Sequence, residues 1–154
     1  MKKIAGGKLI GVKTSTYTIF NQEKYDPKVI PAAWSLFFEQ YRQSSLPHSA
    51  IFYSAAIPSM SFDIPMDYYA GAIFEESVEV PVGFESVSIP EGNYFCVTHN
   101  GPISNLAATF AQAYGVELPE SQAEMRNAPH LEIYNSDKDP MAEEYSMELG
   151  IPVQ

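Results

Sequence analysis

Basic residues are scarce in this chain: nine Lys and Arg stand against nineteen Asp and Glu, for a formal charge of −10. A surface that reads DNA or RNA needs concentrated positive charge against the phosphates. The balance therefore opposes direct nucleic-acid binding and adsorption to anionic membranes, and it favours cationic ligands or basic partners by long-range attraction. Solubility alone is the other reading of the same charge. Cysteine is nearly absent. The one thiol, Cys96 in the apolar run Tyr94-Phe95-Cys96-Val97, has no internal disulfide partner and reads as a core group in a reducing compartment. No apolar stretch approaches the length of a membrane span, and Met1-Lys2-Lys3-Ile4-Ala5-Gly6-Gly7 lacks the apolar segment of a secretory leader. A soluble cytoplasmic protein is the default expectation. Catalytic signatures are missing too: there is no G-x-S-x-G elbow, no nucleotide-binding glycine loop and no Cys-His pairing. His48, His99 and His130 lack metal-ligand spacing, and Cys96 near His99 is a coincidence of a strand. No metal or cofactor is implied, and a non-enzymatic role is favoured.

Aromatic side chains are what the chain has in abundance: ten Tyr, nine Phe and one Trp among 154 residues. That length fits one domain, residues 1–154, large enough to bury a core without staples. Hydrophobic residues at 45% against 18% charged argue for a folded globule. Tyrosines finish cores, and they also line pockets that accept flat apolar ligands while offering a hydroxyl. Six Met supply adaptable packing.

Periodicity gives an order of elements. Lys8 to Phe20 reads as a strand, and Asp26-Pro27 with Pro31 marks the start of a helix. Ile30, Ala33, Trp34, Phe37, Phe38 and Tyr41 then form its apolar stripe. Ala50 to Ile57 and Tyr68 to Glu76 read as strands separated by a turn region with Pro58 and Pro65. Phe84 to Val97 is extended, broken by Pro90-Glu91-Gly92-Asn93, and the strand from Tyr94 to His99 closes at Asn100-Gly101-Pro102. Ser104 is a candidate cap for a second helix carrying Leu106, Phe110, Ala113 and Tyr114, with Gly115 placed to end it. His130 to Tyr134 and Tyr145 to Val153 supply the final strands, joined through Asp137-Lys138-Asp139-Pro140.

Strand, helix, strand, strand thus occurs twice, over about residues 8–76 and 84–154. Phe37 and Tyr41 stand 73 positions before Phe110 and Tyr114, and Gly71 stands 79 before Gly150. The expected fold is α+β: duplicated βαββ modules with pseudo-twofold symmetry, one antiparallel sheet, helices packed on one face and a central ligand groove. Within the run His130-Leu131-Glu132-Ile133-Tyr134, alternation puts His130, Glu132 and Tyr134 on one face. A carboxylate between a phenol and an imidazole outlines a cation site, and a wet sheet face is the plain alternative. At the 79-residue offset Glu132 corresponds to Tyr53, so the carboxylate belongs to one half only.

The succession Asp67-Tyr68-Tyr69-Ala70-Gly71, Ile89-Pro90-Glu91-Gly92-Asn93-Tyr94, His99-Asn100-Gly101-Pro102, Leu131-Glu132-Ile133-Tyr134 and Leu149-Gly150-Ile151-Pro152-Val153 resembles the GyrI-like superfamily. These are the effector-binding domains of AraC-type and MerR-type multidrug regulators, which also occur as free-standing proteins. The resemblance spans nearly the whole chain. It implies a duplicated βαββ fold with an aromatic groove in which an acidic residue receives lipophilic cations, and Glu132 matches that acid. Trp34, Tyr53, Tyr69, Tyr134 and His99 are the further site candidates. Tyr68 and Tyr69 point to opposite faces of one strand, so at most one of them reaches the groove. Trp34 and Phe37 individually read as core.

Nothing before residue 8 forms a helix-turn-helix, and the first helix is too apolar to read DNA. The expectation is a sensor or sequestering protein for small lipophilic cations, linked to transcription through a separate regulatory protein, or acting as a homodimer. The resemblance also carries two alternatives. One is hydrolysis of reactive cyclopropane-containing compounds, with Glu132, Tyr134 and His99 in acid-base roles. The other is inhibition of gyrase or another protein partner, for which Asp137, Asp139, Glu143 and Glu144 form a local acidic cluster.

Overall fold

In the computed structural model, which describes residues 1–102, 105–135 and 144–154, all eight strands join one antiparallel sheet. In chain order the elements are β1 (Lys2–Ile4), β2 (Gly7–Thr16), α1 (Val29–Gln43), β3 (Ile51–Ile57), β4 (Met66–Phe74), β5 (Glu85–Ile89), β6 (Gly92–Pro102), α2 (Leu106–Gln112), a π-helical segment (Ala113–Glu117), α3 (Leu118–Ser121), β7 (His130–Asn135) and β8 (Glu144–Val153). The strand order is β1-β6-β8-β7-β3-β4-β2-β5. Two triplets, β6-β8-β7 and β3-β4-β2, therefore meet at a seam where β3 and β7 pair. This is the α+β antiparallel architecture expected from the repeated element order.

The short strands β1 and β5 explain how the sheet curls. Each precedes one triplet in sequence but pairs with the outer strand of the other, β1 with β6 and β5 with β2. Only Ala5 and Gly6 link β1 at one end of the sheet to β2 near the opposite end, so the ends must approach each other. They cross at Gly6, where an added Cβ would lie 2.8 Å from the Glu91 amide nitrogen and 3.1 Å from the Ile89 carbonyl oxygen. A side chain would pry that crossing apart.

Strand alternation then divides the core. Leu9, Ala55, Tyr69, Leu131, Ile133 and Tyr94 cluster with Ile4 and Ile89 inside the curl. On the convex face Trp34 and Phe37 of α1 pack with Tyr68, Ala70, Tyr134 and Met147, while Ala113 and Leu118 pack on Leu149, Ile151 and Val153. Both helical segments cover this one face. The π-turn widens the second helix and lets it bury Ala113 and Leu118 while carrying Tyr114 toward β7.

Several boundaries differ from those read in the sequence. The first strand stops at Thr16 instead of Phe20. Asp26 does not open the helix: its carboxylate accepts the Lys28 N–H at 3.0 Å and its carbonyl the Val29 N–H at 3.3 Å, a separate turn before α1 starts at Val29. Gly115 does not end the second helix, because tertiary burial of Leu118 carries the chain on; the end comes at Gln122, in the left-handed region at φ 63°. β1 carries no periodic signal in the sequence, being only three residues long and mostly exposed. The Ser104 cap, the Asp137-Lys138-Asp139-Pro140 loop and the acidic side chains Asp137, Asp139 and Glu143 lie outside the described residues, as does the side chain of Glu144. Among the described residues no helix is long and apolar enough to cross a membrane, and no group of three or more His, Cys, Asp or Glu is placed to hold a metal ion.

Candidate functional site

Glu132 lies on β7 at the seam, opposite Ser54 of β3. One of its oxygens, Oε1, accepts three hydroxyl hydrogen bonds: from Ser54 at 2.9 Å, Tyr68 at 3.0 Å and Tyr134 at 3.0 Å. β3, β4 and β7 each contribute one donor, because the register aligns Ser54, Tyr68 and Tyr134 on one face of the curled sheet. Oε2 accepts no bond from the described residues, so the carboxylate is anchored by one oxygen and offers the other.

Behind this cluster stands Trp34, fully buried, whose indole Nε1 donates to the Tyr68 hydroxyl at 3.1 Å and whose ring meets Tyr134 edge-on at 5.3 Å. Trp34 thus steadies both tyrosine donors, Tyr68 through a hydrogen bond and Tyr134 through ring packing. Desolvation raises the Glu132 pKa above its ordinary value, and the bonds from Ser54, Tyr134 and Tyr68 oppose that rise. Tyr68 is held well above its ordinary value, through burial first and the neighbouring negative charge second, which favours the protonated, donating phenol.

In front of Glu132 opens a groove of about 320 Å³ between α1 and the second helical segment. Its walls are almost wholly apolar or aromatic, including Tyr25, Ile30, Phe62, Phe110 and Tyr114. Phe62, from the β3–β4 connection, stacks on Phe20 at 5.7 Å, and Phe20 meets Phe110 of α2 at 6.5 Å. Three rings from three segments thereby span the groove. Asn21 Nδ2 donates to the Phe62 carbonyl at 2.7 Å and ties the two loops together. The negative charge of Glu132 also reaches Tyr25 and Tyr114, contributing after burial to the raised pKa of each.

Of the six residues singled out from the sequence, Glu132, Tyr134 and Trp34 come together, with Tyr134 and Trp34 supporting the carboxylate and not lining the groove. Tyr53 and Tyr69 lie on the concave face. Tyr69 is core there beneath Lys13, whose Nζ sits 5.9 Å from the ring centroid, and Tyr53 lines a separate, larger cavity of about 750 Å³ with Ile133, Lys2 and Glu148. That larger space contains no part of the Glu132 cluster. Of the adjacent tyrosines, it is Tyr68 that faces the carboxylate. His99 is buried at the β6–α2 junction, 2.6 Å from Thr109 Oγ1 and 3.3 Å from the Pro102 carbonyl. His130, on the Glu132 face of β7 as alternation implies, lines the groove beside the carboxylate, whereas Ser54, Phe20, Phe62, Tyr25 and Tyr114 are not among the residues that the sequence singles out for the site. Strand register alone identifies Ser54 and Tyr68, whereas the loop aromatics carry no periodic signal.

The family model for the GyrI-like small-molecule-binding domain matches residues 1–154, and the chain belongs to that family. No curated protein matches it in sequence. Among solved structures it is similar to SAV2435 bound to tetraphenylphosphonium, with a TM-score of 0.67 and 18% identity over 99% of this chain and 92% of that one. An integron cassette protein from the mobile metagenome of Vibrio cholerae gives 0.61 and 12% identity over 99% and 94%. EcmrR, in its complex with DNA, gives 0.69 and 13% identity over 99% of this chain and 56% of that one. At these identities the likeness is one of fold, shared with a ligand-bound protein and with part of a DNA-bound one.

Proposed function

We propose that this small-molecule-binding domain takes lipophilic organic cations, held in the aromatic groove against the free oxygen of Glu132. The observation that carries the reading is the three-hydroxyl anchor on Oε1. Neutral donors make a partly buried carboxylate tolerable without neutralising it, leaving a net negative charge at the end of an apolar cavity. A diffuse cation regains from that charge and from ring faces what it loses in hydration, with each favourable ring contact contributing roughly 0.5–2 kcal/mol. A compact, strongly hydrated ion gains less from apolar walls. The tetraphenylphosphonium held by SAV2435 supports this reading by analogy of fold. In the same reading the protein acts as a sensor or sequestering protein for such cations.

Calorimetry with tetraphenylphosphonium and neutral tetraphenylmethane analogues made soluble by a remote uncharged group tests the assignment. Wild-type protein is expected to bind the cation in the micromolar range and the neutral analogue at least about tenfold more weakly, a difference of about 1.4 kcal/mol. Glu132→Gln is expected to erase that preference. Equal affinity for both ligands in wild type would remove the charge from the mechanism.

A further inference from the structure

Tyr114 and His130 form a polar pair inside an otherwise apolar wall. The Tyr114 hydroxyl and His130 Nδ1 are 2.6 Å apart, the rings stack at 5.7 Å with an interplanar angle of 26°, and both residues line the groove. His130 lies on the same face of β7 as Glu132, two residues before it, and Tyr114 is delivered by the π-helical segment.

The hydrogen-bond inventory assigns the protons. Tyr114 makes no other hydrogen bond among the described residues, so its hydroxyl finds a protein acceptor among them only if His130 Nδ1 accepts. Nδ1 then carries no proton, and the neutral ring holds it on Nε2. Burial keeps the ring neutral, lowering the His130 pKa to about 4, and raises that of Tyr114. Nε2 has no partner among the described residues, and it is not one of their fully buried, unsatisfied side-chain atoms, which are Gln40 Oε1 and Tyr94 OH among those residues. The Nε2–H is therefore a reachable donor, beside a carboxylate that cannot donate.

We infer that His130, oriented by Tyr114, is a specificity-determining donor that selects cations carrying a hydrogen-bond acceptor, such as an aryl ketone or amide carbonyl, on the apolar body. This inference rests on the cation-binding reading of the groove and names its ligand class more narrowly. Glu132 receives the charge, and His130 reads a neutral acceptor near it. One such bond changes affinity by roughly three- to tenfold.

The test uses two probes: tetraphenylphosphonium, and the same cation with an acetyl group on one ring. Wild type is expected to bind the acetyl cation roughly three- to tenfold more tightly. His130→Phe is expected to abolish the difference between the two cations, each compared within the same variant, and His130→Gln, which retains an N–H, to restore part of it. Nitrogen-15 NMR of the ligand-free protein supplies a readout independent of any ligand: the Nε2–H tautomer is expected in wild type and a tautomer mixture in Tyr114→Phe. An Nδ1–H tautomer in wild type, equal affinity for the two cations, or a preference that survives in His130→Phe would each overturn the inference while leaving cation binding intact. Failure of wild type to bind either cation would overturn the cation reading and this inference with it.

Discussion

Trp34 backs the Tyr68 arm of the Glu132 anchor: the indole N–H donates to the phenol oxygen at 3.1 Å, and that phenol donates to the carboxylate at 3.0 Å. Both rings are buried, so neither group has water to fall back on. Tyr68→Phe removes the acceptor of Trp34 and one donor of Glu132 together. It is predicted to destabilise the fold by roughly 2–3 kcal/mol, whereas Trp34→Phe, a loss of bulk and of one donor, leaves the Tyr68–Glu132 bond in place. Urea unfolding combined with cation binding separates them. Tyr68→Phe should lower both stability and affinity, and Trp34→Phe chiefly stability.

Ionisation of Glu132 gives cation binding a predicted pH dependence. Burial raises its pKa, so on the acid side the free protein holds a proton that the arriving cation must displace. Affinity should rise as pH increases through the raised value and then level off, with proton release confined to the rising limb. Calorimetry in buffers of different ionisation enthalpy measures that release, and Glu132→Gln should show a flat profile.

Stability responds to Glu132 and His130 with opposite signs. Native Glu132 keeps a proton that the unfolded chain has already released, so its contribution falls as pH rises from the ordinary 4.5 through the raised value. His130 is the reverse: between its ordinary 6.5 and its native value of about 4, the unfolded chain binds a proton the native state refuses, and stability falls as pH drops. In urea titrations across this range, His130→Gln should flatten the loss on acidification. Glu132→Gln should steepen it.

Exposed Phe62 offers a test of the aromatic span without a folding penalty. At 61% exposure it contributes little to the core, yet its ring stacks on Phe20 over the groove. Phe62→Ala is predicted to weaken aromatic cations roughly three- to tenfold, about 0.5–1.5 kcal/mol, with unfolding shifted by less than about 0.5 kcal/mol. Equal losses in binding and stability would place the ring in the core instead.

Two glycines should respond in opposite ways to alanine. Gly71 faces Gly11 across β2 and β4, and a Cβ there would meet the Ile10 carbonyl oxygen at 2.2 Å. Gly71→Ala is predicted to cost at least about 2 kcal/mol, as backbone must move. A Cβ at Gly115 meets nothing within 4 Å. Gly115→Ala should be neutral or stabilising by up to roughly 1 kcal/mol, measured by the same unfolding curves.

The chain's alternation and helical spacing determine much of this protein by themselves. They place Glu132 and Tyr134 on one strand face and Trp34 on the buried stripe of α1. The repeated element order and the quoted motifs point to the family. These features are legible because each depends on residues a few positions apart, where backbone geometry fixes which side chains share a face. Tertiary structure decides the rest. Lateral pairing of β7 with β3 and β3 with β4 selects Ser54 and Tyr68 over Tyr53 and Tyr69, and burial of Leu118 overrides the glycine that would have ended the helix. The groove walls come from Phe20, Phe62, Phe110 and Tyr114 on separate segments. Their meeting has no local signal, because it arises only when the sheet curls and the helices settle on its outer face.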